Sequence, residues 1–327
     1  GDPVAHGRTR DLPRLLREGD VLVLNDTRVL PARLRLAKPT GGAVEVLALE
    51  PTGDGWWEAL VRPSRRVPVG TELVDHIGLP VLEVGEPTGE GTRLVRPIGP
   101  PMEQILEHLG AVPLPRYITA PLDEPGRFQT VYADRASSVA APTAGLHLTP
   151  EVLARCEAAG ARIHHVELSV GVGTFRPLEA DDLDDHDMHS ERYRVPEATW
   201  EACVAADRVV AVGTTVVRTL ESVAAGGSLT GRTDLFIRPP YEFRVIDALV
   251  TNFHMPRSTL LVMIEAFIGP RWRELYEGAL REGYRFLSFG DAMFLERGAS
   301  APAGPAPIVD PMDAPDPDHH TDPGVGR

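Results

Sequence analysis

The sequence predicts an α/β protein in two parts: a mixed α/β domain and a small all-β module close to the N-terminus. Three observations lead to this prediction. A chain of 327 residues corresponds to about two domains of ordinary size. Short strand-like runs with Gly and Pro between them fill the first hundred residues, whereas helix-like and strand-like runs alternate afterwards.

Short apolar segments predict the all-β module. The first is an apolar strand at 21–24, followed by Asn25-Asp26-Thr27-Arg28, and further strands are expected at 43–49, 56–61, 79–84 and 92–95. Turn residues separate these segments, and strands this short between turns are typical of a small β module.

Alternating elements from Met102 onward predict the α/β domain. We expect helices at 102–109, 150–159, 196–206 and 215–224, and strands at 161–170 and 209–212. Thr149 and Pro150 provide a capping hydroxyl and a proline at the first helical position, and Gly160 is a suitable stop. Alternation in the 161–170 strand places His164, Val166, Leu168 and Val170 on one face, which is mainly apolar.

Two strand-turn-helix units are the most informative segments. In residues 209–221 an apolar strand runs through Gly-Thr-Thr into a helix, and in residues 245–261 a strand runs through a polar turn into a helix opened by Ser258 or Thr259. Free backbone N–H groups at a helix start face whatever ligand binds there. We therefore expect both turns to line one active cleft.

Charge limits the class of partner. With 47 acidic and 33 basic residues the formal charge is -14, which disfavours a broad nucleic-acid-binding surface. Contact with RNA must then use local patches, and ordinary solvated arginines are the alternative interpretation of each. The two candidate patches are Arg62, Arg65 and Arg66, and Arg232, Arg238 and Arg244.

Cysteine usage and hydropathy indicate a cytoplasmic protein without a membrane span. Cys156 and Cys203 lie in helix-like segments, which disfavours a disulfide framework or a thiolate metal site. The longest apolar run, 260–268, is interrupted by Glu265 and is too short to cross a bilayer. The Pro- and Ala-rich tail at 298–327 cannot bury a core and is expected to be disordered.

Three polar segments leave alternatives open. His147 precedes a helix and is an acid, a base or a ligand contact, or only a surface or capping group. The glycine turn 171–175 permits close backbone approach to a ligand, although a plain turn or bulge explains it equally. Residues 181–189, DDLDDHDMH, contain metal-ligand types but match no metal spacing, so we interpret them as an acidic loop.

Eight blocks follow the pattern of one family in chain order. They are NDTRVLPARL (25–34), RFQTVYA (127–133), AAPTAGLHLT (140–149), GVGTF (171–175), DHDMHSE (185–191), VGTTVVRTLES (212–222), TNFHMPRSTLL (251–261) and YRFLSFGDAMFL (284–295). On these blocks the chain resembles the S-adenosylmethionine:tRNA ribosyltransferase-isomerase family of queuosine biosynthesis.

The resemblance implies a larger α/β barrel-like domain, residues 1–32 and 113–297, with a small β domain, residues 33–112, inserted in it. It implies transfer and isomerisation of the ribosyl group of S-adenosylmethionine onto 7-aminomethyl-7-deazaguanine in tRNA, which gives epoxyqueuosine and releases adenine and methionine. S-adenosylmethionine is then a consumed substrate, and no metal or bound cofactor is expected. We expect a monomer.

Matching the blocks assigns candidate residues. His147, His189 and His254 become acid/base candidates, and Asp291 becomes an orienting or sulfonium-facing carboxylate. Each also has a structural alternative: threonines as helix caps, Arg218 as a partner of Glu221, and His254 as a turn residue. The expected cleft-lining residues are Thr143, Thr214, Thr215, Arg218, Thr251 and Asn252.

The chain departs from the family pattern at a few positions. Ser169 stands where the family usually has histidine before its glycine turn, so either that histidine is dispensable or His165 and Glu167 on the same strand face compensate for it. Pro240 and Glu265 also replace the usual residues. The family continues ahead of Gly1, so a fragment, with a partly open core, or a shorter branch is expected. Transfer to another acceptor, or binding without turnover, are the alternative functions.

Overall fold

The computed structural model of the protein describes residues 4–89, 91–115, 117–118, 124–171, 188 and 190–297. Most of the glycine turn at 171–175, the acidic segment at 181–187, His189 and the tail at 298–327 lie outside these residues. The predictions made for those segments stay predictions. The described part contains a seven-stranded mixed sheet, a closed barrel and a two-stranded ribbon.

Four parallel strands form the centre of the mixed sheet: β10 (Arg162–Leu168), β1 (Val21–Asn25), β12 (Val209–Val212) and β14 (Ala248–Asn252). β1 and β12 are buried along their whole length, as expected for parallel strands covered on both faces. Antiparallel strands flank this centre, namely β11 (Glu191–Arg194) and β13 (Thr230–Thr233) beyond β10, and β15 (Ala292–Glu296) beyond β14.

Helices cover both faces of this sheet. α2 (Pro150–Ala158) packs on one face, with Leu22 and Leu24 of β1, and we call this the α2 side. α3 (Glu197–Val204), α4 (Thr214–Ala224), α5 (Thr259–Ile268) and α6 (Trp272–Arg281) pack on the other, with Val21 and Val23, and we call it the α4 side. Because strand side chains alternate, each residue at a strand end belongs to one side.

The predicted helix starts are confirmed. Thr149 Oγ1 accepts a hydrogen bond from Val152 N at 3.3 Å, and Ser258 Oγ accepts one from Leu261 N at 3.3 Å. These side chains satisfy N–H groups that the first helical turn leaves free, and therefore fix where α2 and α5 begin.

The closed barrel is built from six antiparallel strands: β3 (Arg33–Ala37), β4 (Ala43–Gly53), β5 (Trp56–Arg62), β8 (Thr92–Pro97), β7 (Pro80–Pro87) and β6 (Thr71–Val74). α1 (Met102–Leu109) buries Met102, Ile105 and Leu106 in the barrel core. This helix therefore packs with the barrel, although the alternation from Met102 onward had suggested the α/β domain.

Two expectations about the larger part require correction. The barrel shape implied for it is not found in the described residues, where β13 and β15 are the two ends of the seven-stranded sheet and the closed barrel is the small β module. The apolar strand at 21–24 lies at the centre of the mixed sheet and not in the β module, because its four consecutive apolar residues need cover on both faces.

The two-stranded ribbon, β2 (Thr27–Val29) with β9 (Arg135–Ser138), is parallel and follows β1 directly. Asp134 N donates to Asp26 O at 2.9 Å, so this ribbon holds the segment that leaves β1. None of the described helices has the length and hydropathy that a membrane span requires.

Candidate active site

Polar residues collect where the four parallel strands end. In open α/β sheets, ligands bind outside the carboxyl ends of the strands, at the point where the strand order reverses. Here β1 has β10 on one side and β12 on the other, so the chain order reverses at β1. This edge of the sheet is therefore the candidate active site, and it has one set of residues on each side of the sheet.

A cleft of about 360 Å³, part of it open to solvent, lies on the α4 side. Both predicted strand-turn-helix units line it, the first through Thr214, Thr215 and Arg218 and the second through Thr259 and Met263. The two units therefore share a cleft, but the second unit contributes its helix α5, and its polar turn at 251–256 is not part of the lining. The other lining residues are mostly apolar: Met188, Glu191, Leu235, Phe236, Ile237 and Leu260.

A buried ion pair closes one wall of the cleft. Arg218 Nη1 contacts Glu191 Oε2, and both side chains are about 5% exposed or less. Arg218 also donates to two backbone carbonyls, Leu235 O at 3.1 Å and Thr233 O at 3.3 Å. The guanidinium is thus held by carboxylate and backbone together, which is the arrangement that a buried charge requires.

The structural alternative for Arg218 is wrong. Glu221 does not pair with it, but accepts hydrogen bonds from the backbone N–H groups of Arg244, Val245 and Ile246 at 3.0–3.2 Å. Glu191, the true partner, was missed as a site residue. Its position at the end of the DHDMHSE block was the only signal for it in the sequence.

A hydrogen-bonded chain lies on the α2 side. Asn252, at the end of β14, donates from Nδ2 to His147 Nε2 at 2.8 Å and to Leu287 O at 3.1 Å. Thr143 Oγ1 donates to Asn252 Oδ1 at 3.2 Å. A neutral His147 ring that accepts at Nε2 carries its proton on Nδ1, which is therefore available as a hydrogen-bond donor.

Asp291 stands near His147. Burial lowers the pKa of His147 from its ordinary value, and the Asp291 carboxylate opposes this shift. Asp291 Oδ2 also accepts from Arg285 N at 2.7 Å, which closes the loop that carries Leu287 O. The structure therefore brings four predicted residues together here: Thr143, His147, Asn252 and Asp291.

His254 lies on the other side of the sheet with Thr251. His254 Nε2 and Thr251 Oγ1 are 2.9 Å apart, and His254 N donates to Tyr276 OH at 2.9 Å. The ring is buried, and burial lowers its pKa to about 4. His254 and Thr251 lie on the α4 side, although neither lines the cleft, and His147 lies on the α2 side, so the sheet separates both from His147. His189, the third histidine, is outside the described residues.

Gly213 joins the two sides. It precedes α4 with φ of 95°, a left-handed conformation that favours glycine. A Cβ at this position would lie 3.5 Å from Ala144 Cβ on the α2 side and 3.5 Å from Thr215 Oγ1 on the α4 side. Asn25 Nδ2, at the end of β1, also donates to Thr215 Oγ1 at 3.3 Å. Both sets of residues therefore lie along the same edge of the sheet.

The departures from the family pattern lie outside the cleft lining. Ser169 N donates to Arg192 O at 2.9 Å, and strand alternation places its side chain on the α2 side with His165 and Glu167. Glu265 Oε1 pairs with Arg273 Nη1 at 3.2 Å.

The arginine patches have different surroundings. In the second patch, Arg232 pairs with Glu50 of the barrel at 3.0 Å, and Arg244 Nη1 donates to Ala224 O at 2.8 Å. In the first patch, Arg65 and Arg66 are exposed on a short 3-10 helix after β5. Among the described residues, no group of three or more His, Cys, Asp or Glu is arranged to hold a metal ion.

Comparison with known proteins gives consistent matches. The model of a family described as "Queuosine biosynthesis protein" matches residues 1–295. An S-adenosylmethionine:tRNA ribosyltransferase-isomerase of Rubrobacter xylanophilus is 54% identical over 89% of this chain and 86% of its own length. A protein of that name from Thermus thermophilus is 51% identical, over 89% of this chain and 88% of its own length.

A solved structure is also similar. The crystal structure of an S-adenosylmethionine tRNA ribosyltransferase from Thermotoga maritima is 36% identical, covers 87% of this chain and 85% of its own, and superposes with a TM-score of 0.46.

Proposed function

The chain belongs to the queuosine biosynthesis protein family, and from this membership we propose that it is an S-adenosylmethionine:tRNA ribosyltransferase-isomerase. It transfers and isomerises the ribosyl group of S-adenosylmethionine onto 7-aminomethyl-7-deazaguanine in tRNA. The product is epoxyqueuosine in tRNA, and adenine and methionine are released. The observation that carries the proposal is the 51–54% identity to proteins of this name over 86–88% of their length.

The chemistry requires proton transfer and a water-poor site. The sulfonium acidifies the 5′ carbon of the ribose, so that a base can remove a proton there and adenine can leave as the ring opens. The neutral aminomethyl nitrogen then attacks, and closure to the epoxide expels methionine. Positioned acids, bases and hydrogen-bond donors lower the barriers to such steps, and holding both substrates together contributes much of the rest.

On the α2 side, His147 is the first candidate for these steps. Its Nδ1–H is a hydrogen-bond donor for charge that develops on a leaving group, and Asn252 and Thr143 fix the ring. Asp291 orients the loop next to it and faces the sulfonium. His189 is a further acid/base candidate from the family blocks.

On the α4 side, the cleft holds part of S-adenosylmethionine. Thr214, Thr215 and Arg218 are its polar contacts, and methionine and leucine side chains supply the apolar surface. His254, a buried ring bound to Thr251, holds the end of β14 and acts as a positioning residue.

The closed barrel is a separate domain, residues 33–112, inserted between the two segments of the larger domain, residues 1–32 and 113–297. Its own core of apolar residues supports this division. We propose that the protein acts as a monomer in the cytoplasm, where its tRNA substrate is found. S-adenosylmethionine is consumed, and no metal or bound cofactor takes part.

The test is to incubate the purified protein with S-adenosylmethionine, with and without tRNA carrying the aminomethyl-deazaguanine base. Mass spectrometry follows adenine, methionine and the tRNA nucleosides, in EDTA-treated buffer as well as untreated buffer. We expect both small products and the epoxycyclopentanediol adduct only with modified tRNA. Adenine formed equally well without tRNA would refute the tRNA acceptor, and binding of both substrates without adenine would refute catalysis.

A further inference from the structure

Asp26 lies at the same edge of the sheet as the candidate active site, although the family comparison gave it no role. It follows β1 directly, and Asp26 N donates to Val166 O of β10 at 3.1 Å, so it continues the strand pairing. By strand alternation its side chain belongs with Leu22 and Leu24 on the α2 side. The side that carries His147 and Asn252 therefore also carries this carboxyl group.

The surroundings of Asp26 are polar and incompletely hydrogen-bonded. Asp26 Oδ1 is buried and has no hydrogen-bond partner among the residues that the structure describes. The hydroxyl groups of Tyr132 and of Thr130, which is only 5% exposed, are buried near it and interact with each other. Buried polar atoms in native proteins nearly always have partners, and a catalytic role is one explanation for an exception. Asp26 Oδ1 is therefore a candidate acceptor for a hydrogen bond from a substrate group.

Tyr132 and Thr130 contact the segment that carries His147. A Cβ placed on Gly145 would lie 1.9 Å from Tyr132 OH and 2.8 Å from Thr130 Cγ2, so both side chains pack directly against the backbone two residues before His147. Asp26 is close enough to Tyr132 for its charge to raise the pKa of the phenol, after the larger effect of burial. Asp26 and His147 therefore belong to one continuous arrangement.

Three charged groups from two segments face Asp26. They are Glu167 of β10, Arg135 of β9, and Asp134 just before β9. Glu167 is paired with Arg135 at 3.1 Å and with Arg194 at 2.9 Å, so its charge is partly compensated. Burial, followed by Glu167, raises the pKa of Asp26 to about 6. A carboxyl group with such a pKa exchanges protons near neutral pH, which is what a general base must do.

The proposed reaction produces a proton that needs an acceptor. The S-adenosylmethionine cation and a neutral amine give a neutral adduct, adenine, methionine and one proton. One proton leaves the ribosyl carbon and one leaves the amine, and one is returned to the departing adenine. The N–H group of the amine forms a charge-assisted hydrogen bond with a carboxylate, whereas a C–H group does not.

We propose that Asp26 is a catalytic residue whose carboxylate accepts the proton that the aminomethyl nitrogen loses as it bonds to the ribosyl unit. The nitrogen lone pair forms the N–C bond, the electron pair of the broken N–H bond stays on nitrogen as its new lone pair, and Asp26 becomes the neutral acid. The inference rests on the proposed function and deepens it, because it specifies how the acceptor amine is activated.

The test uses full-length Asp26→Asn, Asp26→Glu and the control Asp134→Asn, which removes an exposed neighbouring acid. Steady-state rates with S-adenosylmethionine and modified tRNA are measured from pH 5 to 9, with thermal melts to verify folding. For Asp26→Asn we expect kcat to fall by about 10²–10⁴-fold, with little change in either KM. Asp26→Glu should recover part of the rate and keep an acid limb in its pH profile. Asp134→Asn should stay active, with its acid limb shifted to lower pH.

A second measurement distinguishes loss of a proton from the amine from loss of a proton from the ribosyl carbon. S-adenosylmethionine deuterated at the 5′ carbon is incubated with Asp26→Asn and modified tRNA, and loss of deuterium to solvent is followed. We expect exchange to persist while adduct formation stops. Loss of exchange would overturn the assignment to the amine, and wild-type rates in Asp26→Asn would overturn any catalytic role. If the wild-type protein forms no adduct, the proposed function fails. If the wild-type protein forms the adduct and Asp26→Asn forms it at the same rate, the proposed function stands and this inference fails.

Discussion

The two sides of the sheet edge differ in how they treat charge. On the α4 side, the Glu191–Arg218 pair is fully buried and each member is bound to the other and to backbone groups. On the α2 side, Asp26 and His147 are only partly compensated, and burial shifts the pKa values of both toward the neutral form. We infer that the α4 side holds a ligand in place, whereas the α2 side transfers protons.

The largest expected effect is on the α4 side. Arg218→Met leaves the Glu191 carboxylate buried without its partner, which should cost about 3–5 kcal/mol of unfolding free energy. Urea denaturation measures this loss. As a control, Glu83→Gln breaks the exposed Arg96–Glu83 pair and should cost less than about 1 kcal/mol. A loss in Arg218→Met as small as that in the control would show that the buried pair is not a structural element.

His147→Ala tests the α2 side. It removes the Nδ1–H donor while Asn252 keeps its bond to Leu287 O, so we expect kcat to fall by about 10²–10³-fold without loss of stability. Adenine release measures the rate. The control is His164→Ala, because His164 is partly exposed and lies on the α4 side of β10. Full activity in His147→Ala would remove this residue from the catalytic set.

Gly145→Ala tests whether the packing beneath His147 matters. The new methyl would meet Tyr132 OH at 1.9 Å, so we expect a loss of about 1–3 kcal/mol together with reduced activity. Adding Tyr132→Phe to Gly145→Ala removes the hydroxyl oxygen and should restore part of the stability and part of the activity. Gly278→Ala in α6, where the nearest atom is 3.8 Å away, is the matched control and should be neutral or stabilising. A Gly145→Ala variant as stable and active as that control would contradict the contact.

His254 on the α4 side and Asp26 on the α2 side should make stability respond to pH in opposite directions. The pKa of His254 is about 4 in the folded protein and near 6.5 unfolded, so its contribution is present above pH 6.5 and is lost as the pH falls. The pKa of Asp26 is raised to about 6, so its contribution is present at low pH and is lost as the pH rises through 6.

Melting temperatures between pH 4 and 7 separate these terms. Asp26→Asn should make stability increase more steeply with pH than in the wild type, whereas His254→Asn should flatten the increase. Identical slopes in all three proteins would show that neither group has the shifted pKa.

The smallest effect is expected at Ser169. A histidine at this position would share the α2 side with Glu167 and Asp26, which already supply titratable groups there. We therefore expect Ser169→His to change turnover little. A large gain would show instead that serine impairs this side, and that Asp26 does not compensate for the missing imidazole.

Elements with local signals could be predicted from the residues alone. Capping side chains and apolar runs correctly placed α2, α4, α5, β1 and β12, because helix starts and buried parallel strands depend on short-range chemistry. Short polar strands such as β11 and β13 were missed, since the residues of Glu191–Arg194 and Thr230–Thr233 become a strand pair only through their partners. Family blocks correctly brought Thr143, His147, Asn252 and Asp291 together.

Which residues share a side of the sheet depends on packing between segments that are distant in sequence. The sequence treated His147 and His254 alike, yet one lies at the α2 side and the other is buried across the sheet with Thr251. It also offered Glu221, one turn away, as the alternative partner of Arg218, whereas the structure pairs Arg218 with Glu191, 27 residues away along the chain. The burial that shifts the pKa of Asp26 arises from β9, β10 and the turn before α2. These segments are distant from Asp26 in sequence, so no local pattern of residues predicts their contacts with it.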